Sequence, residues 1–247
     1  LILYLILTYL RQNPIQFFRM TGHCLRGELD LCLIGAMKTY SLFPTVIAHE
    51  SLNDPGKNLL GDLRKECLTF AKIDEVGQVW SKENHYQGYT SYHSIPKIYL
   101  HSTTFEDLEK CIHKSVNKFA KKLGLDPKAN PLEIDTMWIN VMEQNAFHTS
   151  HTHPLSVVSG TYYVSVSKNS SSIRFEDPRF PLMMAQPLKA SGEALKNQSG
   201  YFSSPYHFDI RPAANDLVLF ESFLRHEVPL NQAKEKRISI SFNYRLK

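Results

Sequence analysis

The sequence predicts a mainly β protein with flanking helices, in which helical segments come first and an antiparallel β-sandwich or barrel follows. Three observations predict it. From Met137 onward the chain reads as short β-rich runs divided by turn clusters at 167–172, 197–200 and 231–236. Before that, between 58 and 124, apolar residues recur at helical spacing. The composition, 43% hydrophobic and 21% charged over 247 residues, is that of a globular chain long enough to bury its own core.

In chain order, residues 1–36 read as an extension without a role in the chemistry. They open on an apolar run of about ten residues, too short to span a bilayer. No basic residue precedes that run and no small-residue cleavage site follows it, so it is a poor signal peptide. Met37 reads as a natural start ahead of a first strand, and 37–247 reads as one domain. Its helical support covers 58–124 and its β core about 137–247. Leu60, Leu63, Cys67 and Phe70 form one apolar stripe over Asn58 to about Ile73. A second helix has capping-box spacing at Thr103 and Glu106, a stripe of Leu108, Ile112, Val116, Phe119 and Leu123, and a stop at Gly124. An aromatic-rich polar stretch, His85–Tyr92, lies between them. Strands are expected at 138–142, 157–166, 173–175, 207–210, 216–220 and 237–244.

Composition also excludes classes. Cys24, Cys32, Cys67 and Cys111 form no CxxC pair, so a thiolate zinc site is disfavoured, and they read as reduced thiols of a cytoplasmic protein. The net charge of +4 comes from scattered lysines, so neither a nucleic-acid nor a membrane partner is indicated. There is no GxSxG elbow and no phosphate-binding glycine loop.

Three of the eleven histidines fall within six residues, His148, His151 and His153. On a strand, His151 and His153 would share a face and offer two adjacent imidazoles to a metal. Imidazole suits iron, zinc, copper and nickel alike, and a lone HxH also fits an exposed histidine-rich loop. The C-terminal segment shifts the balance. Asp216–Phe220 is a strand, His226 opens another after a turn, and Arg237–Asn243 alternates strictly. Arg237, Ser239, Ser241 and Asn243 take one face, while Ile238, Ile240 and Phe242 take the other. An arginine pointing into a barrel needs an anion, and its planar guanidinium suits a carboxylate.

HxH-Pro at His151–Pro154, a distal His226-Glu-Val-Pro and Arg237-Ile-Ser239 together resemble the non-haem iron, 2-oxoglutarate-dependent oxygenases. The nearer resemblance is to an uncharacterised bacterial and phage group, carried also by Ser159-Gly-Thr-Tyr162-Tyr163-Val, Phe175-Glu-Asp-Pro-Arg179 and Trp138-Ile-Asn140. It covers about Met37 to Lys247 and is densest from Trp138. It implies a double-stranded β-helix, the cupin-like jelly roll, with iron(II) and 2-oxoglutarate as cofactors. It further implies hydroxylation of a protein or small-molecule substrate by O2, with release of succinate and CO2.

Carried over position by position, the resemblance makes His151 the first histidine ligand and His226 the distal one. His153 falls where the family usually has a carboxylate, so either it is the third ligand or Glu176 or Asp177 completes the triad. Arg237 takes the place that pairs with the far carboxylate of 2-oxoglutarate, helped by Ser239 or Ser241. Tyr162 is a further candidate for that carboxylate and Asn140 a weaker one. Arg179, the loop from Met183 to Ser204 and the Tyr86–Tyr92 stretch are candidates for choosing the substrate. The competing expectations are a cupin-type metal enzyme or binder, which would leave Arg237 without a purpose, and a non-catalytic jelly-roll binding module.

Overall fold

The computed structural model describes residues 37–52, 58–183, 200–204 and 206–247. Residues 1–36, with the expected extension and Cys24 and Cys32, lie outside them, as do 184–199 of the expected substrate loop. Pro44–Lys247 is one compact unit.

Its elements run β1 (Ile47–Ser51), α1 (Leu59–Ile73), α2 (Glu75–Glu83), β2 (Gly88–Thr90), α3 (Thr103–Lys122), β3 (Leu132–Met142) and β4 (His148–His151). They continue with β5 (Val158–Ser165), β6 (Ile173–Glu176), β7 (Gly200–Ser204), β8 (His207–Ile210), β9 (Asp216–Glu221), β10 (His226–Val228) and β11 (Arg237–Leu246). The strands make two antiparallel sheets, six-stranded β1-β9-β5-β11-β3-β2 and five-stranded β4-β10-β6-β8-β7. Two facing antiparallel sheets with flanking helices are the jelly-roll architecture that the sequence implied.

The helices cover the outer face of the larger sheet. Leu63 and Cys67 of α1 and Phe105, Leu108, Ile112, Val116 and Phe119 of α3 pack with Met137, Ile139 and Val141 of β3 and Ile238, Ile240 and Phe242 of β11. The outward apolar face expected for β11 is therefore a core face. Its alternate residues turn inward, between the sheets. There Val218 and Phe220 of β9 meet Ile173 and Phe175 of β6 in a second apolar cluster.

Two local readings are corrected. The α3 cap is Ser102, one residue earlier than Thr103, and its side chain accepts from the Thr104 N–H at 3.1 Å. The chain also forms α2 where no helix was expected, because Asp74 caps its start and accepts from the Gly77 N–H at 3.0 Å. After α2 the chain reverses into β2 at Gly88 (φ +130°), where any Cβ would lie 2.0 Å from the Val141 carbonyl oxygen. Only glycine lets β2 pair with β3 there. Gly124 (φ +79°) follows α3 as the expected stop. No described helix is long and apolar enough to cross a membrane.

Candidate metal and cosubstrate site

β10 is the short central element that brings the histidines together. In the smaller sheet His226 pairs with His151 of β4 on one side and with Phe175 of β6 on the other. His153 lies just past β4, and its backbone N–H donates to the Ser222 carbonyl at 3.0 Å, which folds the segment back over β9. The ring centroids stand 5.2 Å apart for His151 and His153, 4.4 Å for His151 and His226, and 5.0 Å for His153 and His226. One ligand nitrogen from each lies within 4.8 Å of the others.

Hydrogen bonding decides which nitrogen each ring has free. His151 Nδ1 faces the Thr149 carbonyl at 2.7 Å, and His226 Nδ1 faces the Leu224 carbonyl at 2.9 Å. A carbonyl only accepts, so both Nδ1 atoms carry the proton and leave Nε2 with its lone pair. His153 Nδ1 donates to Asn243 Oδ1 and lies 2.9 Å from Ser159 Oγ. Asn243 is fixed in turn, since its Nδ2 donates to Thr136 Oγ1 at 3.0 Å and its Oδ1 accepts from Ser159 Oγ at 2.7 Å. All three rings thus keep a bare Nε2, the state that a metal ligand requires.

The surroundings keep His153 and His226 neutral. Burial first, then the neighbouring His151, pushes His226 down to about 3. Burial also brings His153 down to about 4, against the raising effect of its bond to Asn243. His148, half-buried and close to the charge of Arg237, is lowered to about 3 by desolvation first and then by that charge. A folded value below the ordinary 6.5 means that the unfolded chain takes up protons first, so this part of the stability is complete above about 6.5 and is lost as pH falls toward 3–4. The metal-free protein is therefore expected to unfold at lower urea concentration at pH 5 than at pH 7; equal midpoints would contradict the neutral assignment.

The histidines open into a cavity of about 580 Å3 between the sheets. Arg237, Ser239 and Ser241 line it from β11, as do Asn140 from β3 and Thr161 and Tyr163 from β5. Arg237 is 2% exposed, and among the described residues no carboxylate pairs with it. Its Nη1 lies 3.4 Å from both Met142 Sδ and Ser239 Oγ, its carbon sits 5.0 Å from the Tyr163 ring centroid, and its Nε has no partner. Asn140 accepts from Thr90 Oγ1 at 2.9 Å and donates to Ser241 Oγ at 3.1 Å, so these two brace each other within the cavity wall. A buried guanidinium without an anion, beside three bare imidazole nitrogens, fits an anionic chelator of a metal ion.

Two expected residues lie elsewhere. Tyr162 points to the helix-covered side, where its hydroxyl donates to Asn215 Oδ1 at 2.7 Å. Strand alternation is the reason: Thr161 and Tyr163 face inward, so Tyr162 cannot. Arg179 is exposed, forms a two-pronged pair with Asp177 at 2.9 and 2.7 Å, and does not line the cavity. That pair also occupies Asp177. Glu176 faces Arg225 at 3.7 Å and His207 at 4.0 Å, so neither alternative carboxylate joins the histidine cluster. From the aromatic stretch, Tyr86, Thr90 and Tyr92 do line the cavity. Sequence reasoning missed Tyr163 and did not use His148; for Tyr163 the available signal was its place two residues after the inward Thr161.

Asn243→Ala removes the acceptor that holds the His153 ring. Losses of about 10–100-fold in metal affinity are usual for such supporting partners. That range is expected here in a nickel(II) titration, with Asn243→Asp, which keeps an acceptor, recovering most of it. Unchanged affinity in the alanine variant would mean that His153 needs no such support.

The fold and the site together define a jelly roll whose cavity brings a three-histidine cluster that could hold a metal ion close to a buried arginine. Residues 136–243 match the sequence model of the family described as "Putative 2OG-Fe(II) oxygenase". Over that segment, which holds all three histidines and Arg237, the chain is similar to the 2OG-Fe(II) oxygenases. Solved structures share the fold. The α-ketoglutarate-dependent epimerase SnoN of nogalamycin biosynthesis is 14% identical over 81% of this chain and 78% of its own, with a TM-score of 0.55. A prolyl-4-hydroxylase from Pseudomonas putida is 15% identical, covering 82% and 89%, with a TM-score of 0.50. HygX from Streptomyces hygroscopicus, solved with nickel and 2-oxoglutarate, is 14% identical over 81% of each chain, also with a TM-score of 0.50. A search of curated proteins finds no match.

Proposed function

We propose that this protein is an iron(II)- and 2-oxoglutarate-dependent dioxygenase that hydroxylates a protein or small-molecule substrate, releasing succinate and CO2. The observation that carries the reading is the convergence, in one cavity, of three imidazoles with free Nε2 atoms and one buried arginine without a counter-ion among the described residues. His151, His153 and His226 would hold iron(II), and Arg237 with Ser239 would hold the far carboxylate of 2-oxoglutarate. The bound metal and cosubstrate would supply the oxidation of a C–H bond by O2.

The chain's own share is placement and exclusion. Thr149 and Leu224 carbonyls and Asn243 aim the three rings, and the Asn140–Ser241 pair stiffens the wall beside them. With three neutral ligands the site keeps one more positive charge than a two-histidine, one-carboxylate site, which favours an anionic chelator there. The shared fold hosts an epimerase as well as a hydroxylase, so hydroxylation rests on the proposal rather than on the architecture. A cytoplasmic location agrees with the free thiols of Cys67 and Cys111, the first of them buried and held protonated.

The test is slow turnover without substrate. Protein loaded with iron(II) and given 2-oxoglutarate and air is expected to form succinate in step with 2-oxoglutarate loss, and to stop when the iron is chelated. Intact 2-oxoglutarate after prolonged incubation with iron would contradict the reading.

A further inference from the structure

The mouth of the cavity is walled by aromatic rings that metal and cosubstrate binding leave unused. Trp80 of α2, Tyr92 just after β2 and Trp138 of β3 all line it. Their ring centroids follow one another outward from a candidate metal ligand: His153 to Trp138 at 6.0 Å, Trp138 to Tyr92 at 5.1 Å and Tyr92 to Trp80 at 6.4 Å. Trp138 is 8% exposed and Tyr92 51%, so the wall runs from the interior to the surface. Tyr92 is held there by its backbone N–H, which donates to Thr90 Oγ1 at 3.2 Å. A break in strand alternation adds a carboxylate to the same wall. Thr136 pairs with Asn243 and Ile134 with Tyr244, which leaves Asp135 as the extra residue of a β-bulge. Strict alternation would send Asp135 to the helix-covered face with Met137 and Ile139; the bulge turns it to the cavity, where it joins Thr136 and Trp138. Its Oδ1 lies 3.3 Å from Arg245 Nη1, but that arginine also pairs with Glu133 at 3.0 Å, so two carboxylates share one cation. Among the described residues no lysine lines the cavity, and Arg237 is its one arginine.

We propose that this mouth is a cation subsite, in which the faces of Trp80, Tyr92 and Trp138 and the Asp135 carboxylate hold an amine or guanidinium group of the substrate. Its use in turnover rests on the oxygenase reading, whereas the binding itself does not. A cation within about 6 Å of a ring centroid is drawn to the negative face of the ring, most strongly for tryptophan. A carboxylate only half-balanced by its arginine adds to that attraction. The same wall leaves a neutral apolar group no use for Asp135 and repels an anion. Trp138 stands next to His153, so a cation held on its ring brings the neighbouring C–H bonds toward the three-histidine cluster. Because Tyr92 carries the wall to the surface, the cation can belong to a free amine or to a side chain of a peptide.

The experiment titrates the full chain, free of metal, with a lysine tripeptide capped at both ends, with the same peptide carrying neutral norleucine in place of lysine, and with butylammonium. Both of the chain's two tryptophans, Trp80 and Trp138, line the cavity, so their fluorescence reports binding. The lysine peptide is expected to bind about 10-fold more tightly than the norleucine peptide. Tyr92→Leu keeps an apolar side chain but removes a ring face, and is expected to weaken the lysine peptide about threefold. Asp135→Asn, in which Glu133 still holds Arg245, is expected to weaken it about fivefold. Both variants should leave the norleucine peptide within about twofold. Butylammonium binding as tightly as the lysine peptide would support the subsite with a free amine as its ligand, and weaker binding would support it with a polypeptide side chain. Equal affinity for the two peptides, no response to either at millimolar concentration, or unchanged lysine-peptide affinity in Asp135→Asn would overturn it. Lysine-peptide binding by a protein that fails to consume 2-oxoglutarate with iron would leave this subsite standing and remove only the oxygenase reading.

Discussion

His226→Ala is expected to abolish stoichiometric metal binding, with affinity reduced by at least about 100-fold, because it removes one of three converging ligands and leaves no replacement. His226 is 5% exposed and lies on an interior strand of the smaller sheet, so a folding defect must be separated from a binding defect. The backbone pairing of β10 with β4 and β6 does not depend on the imidazole, and the variant should keep its far-UV circular dichroism. His207→Ala is the matched control. It sits on the same sheet beside Glu176 at 4.0 Å, outside the cavity, and should bind iron(II) as the unaltered protein does. Anaerobic calorimetry with iron(II) decides the matter. Stoichiometric binding retained in His226→Ala would remove His226 from the ligand set.

Arg237→Met separates the anion subsite from the metal. Truncating one partner of a buried charge pair costs about 2–5 kcal/mol of binding, so 2-oxoglutarate affinity should fall by about 30-fold to several thousandfold. Metal affinity should stay within about twofold, since Arg237 bonds to none of the histidines. The ligand-free protein should behave in the opposite sense. It carries a guanidinium that is 2% exposed with no counter-ion among the described residues, and replacing such a group by a side chain of similar volume is often neutral or stabilising. Urea unfolding should therefore show Arg237→Met no less stable without 2-oxoglutarate, and less stabilised by adding it. Unchanged 2-oxoglutarate affinity would refute the subsite.

The strongest sequence signal came from β11, whose polar and apolar residues alternate without exception from Arg237 to Asn243, so its two faces could be told apart. The structure puts the polar set in the cavity and the apolar set under the helices. β5 is different because both of its faces are buried, one against helices and one inside the sandwich. Gly160-Thr-Tyr162-Tyr163 then offers no contrast by which to choose between adjacent tyrosines, and the choice of Tyr162 fell on the wrong face. The register with β11, where Tyr163 stands opposite Ser239, supplies what composition could not. Arg179 misled for a local reason: an arginine two residues after Asp177 satisfies its charge within its own turn. Tyr86 was legible only as part of an aromatic stretch, since its place in the cavity wall depends on how the turn after α2 meets β3, a contact between residues far apart in the chain.

The most direct test of the account is an anaerobic titration of the metal-free protein with iron(II) and then with 2-oxoglutarate, followed by visible absorbance. Three histidine ligands with a buried arginine nearby predict a weak charge-transfer band that appears only when both are present, and that Arg237→Met shifts to much higher 2-oxoglutarate concentration. Iron binding with no band at any 2-oxoglutarate concentration would contradict the account and favour a cupin-type metal protein; no iron binding at all would leave the histidines a structural cluster.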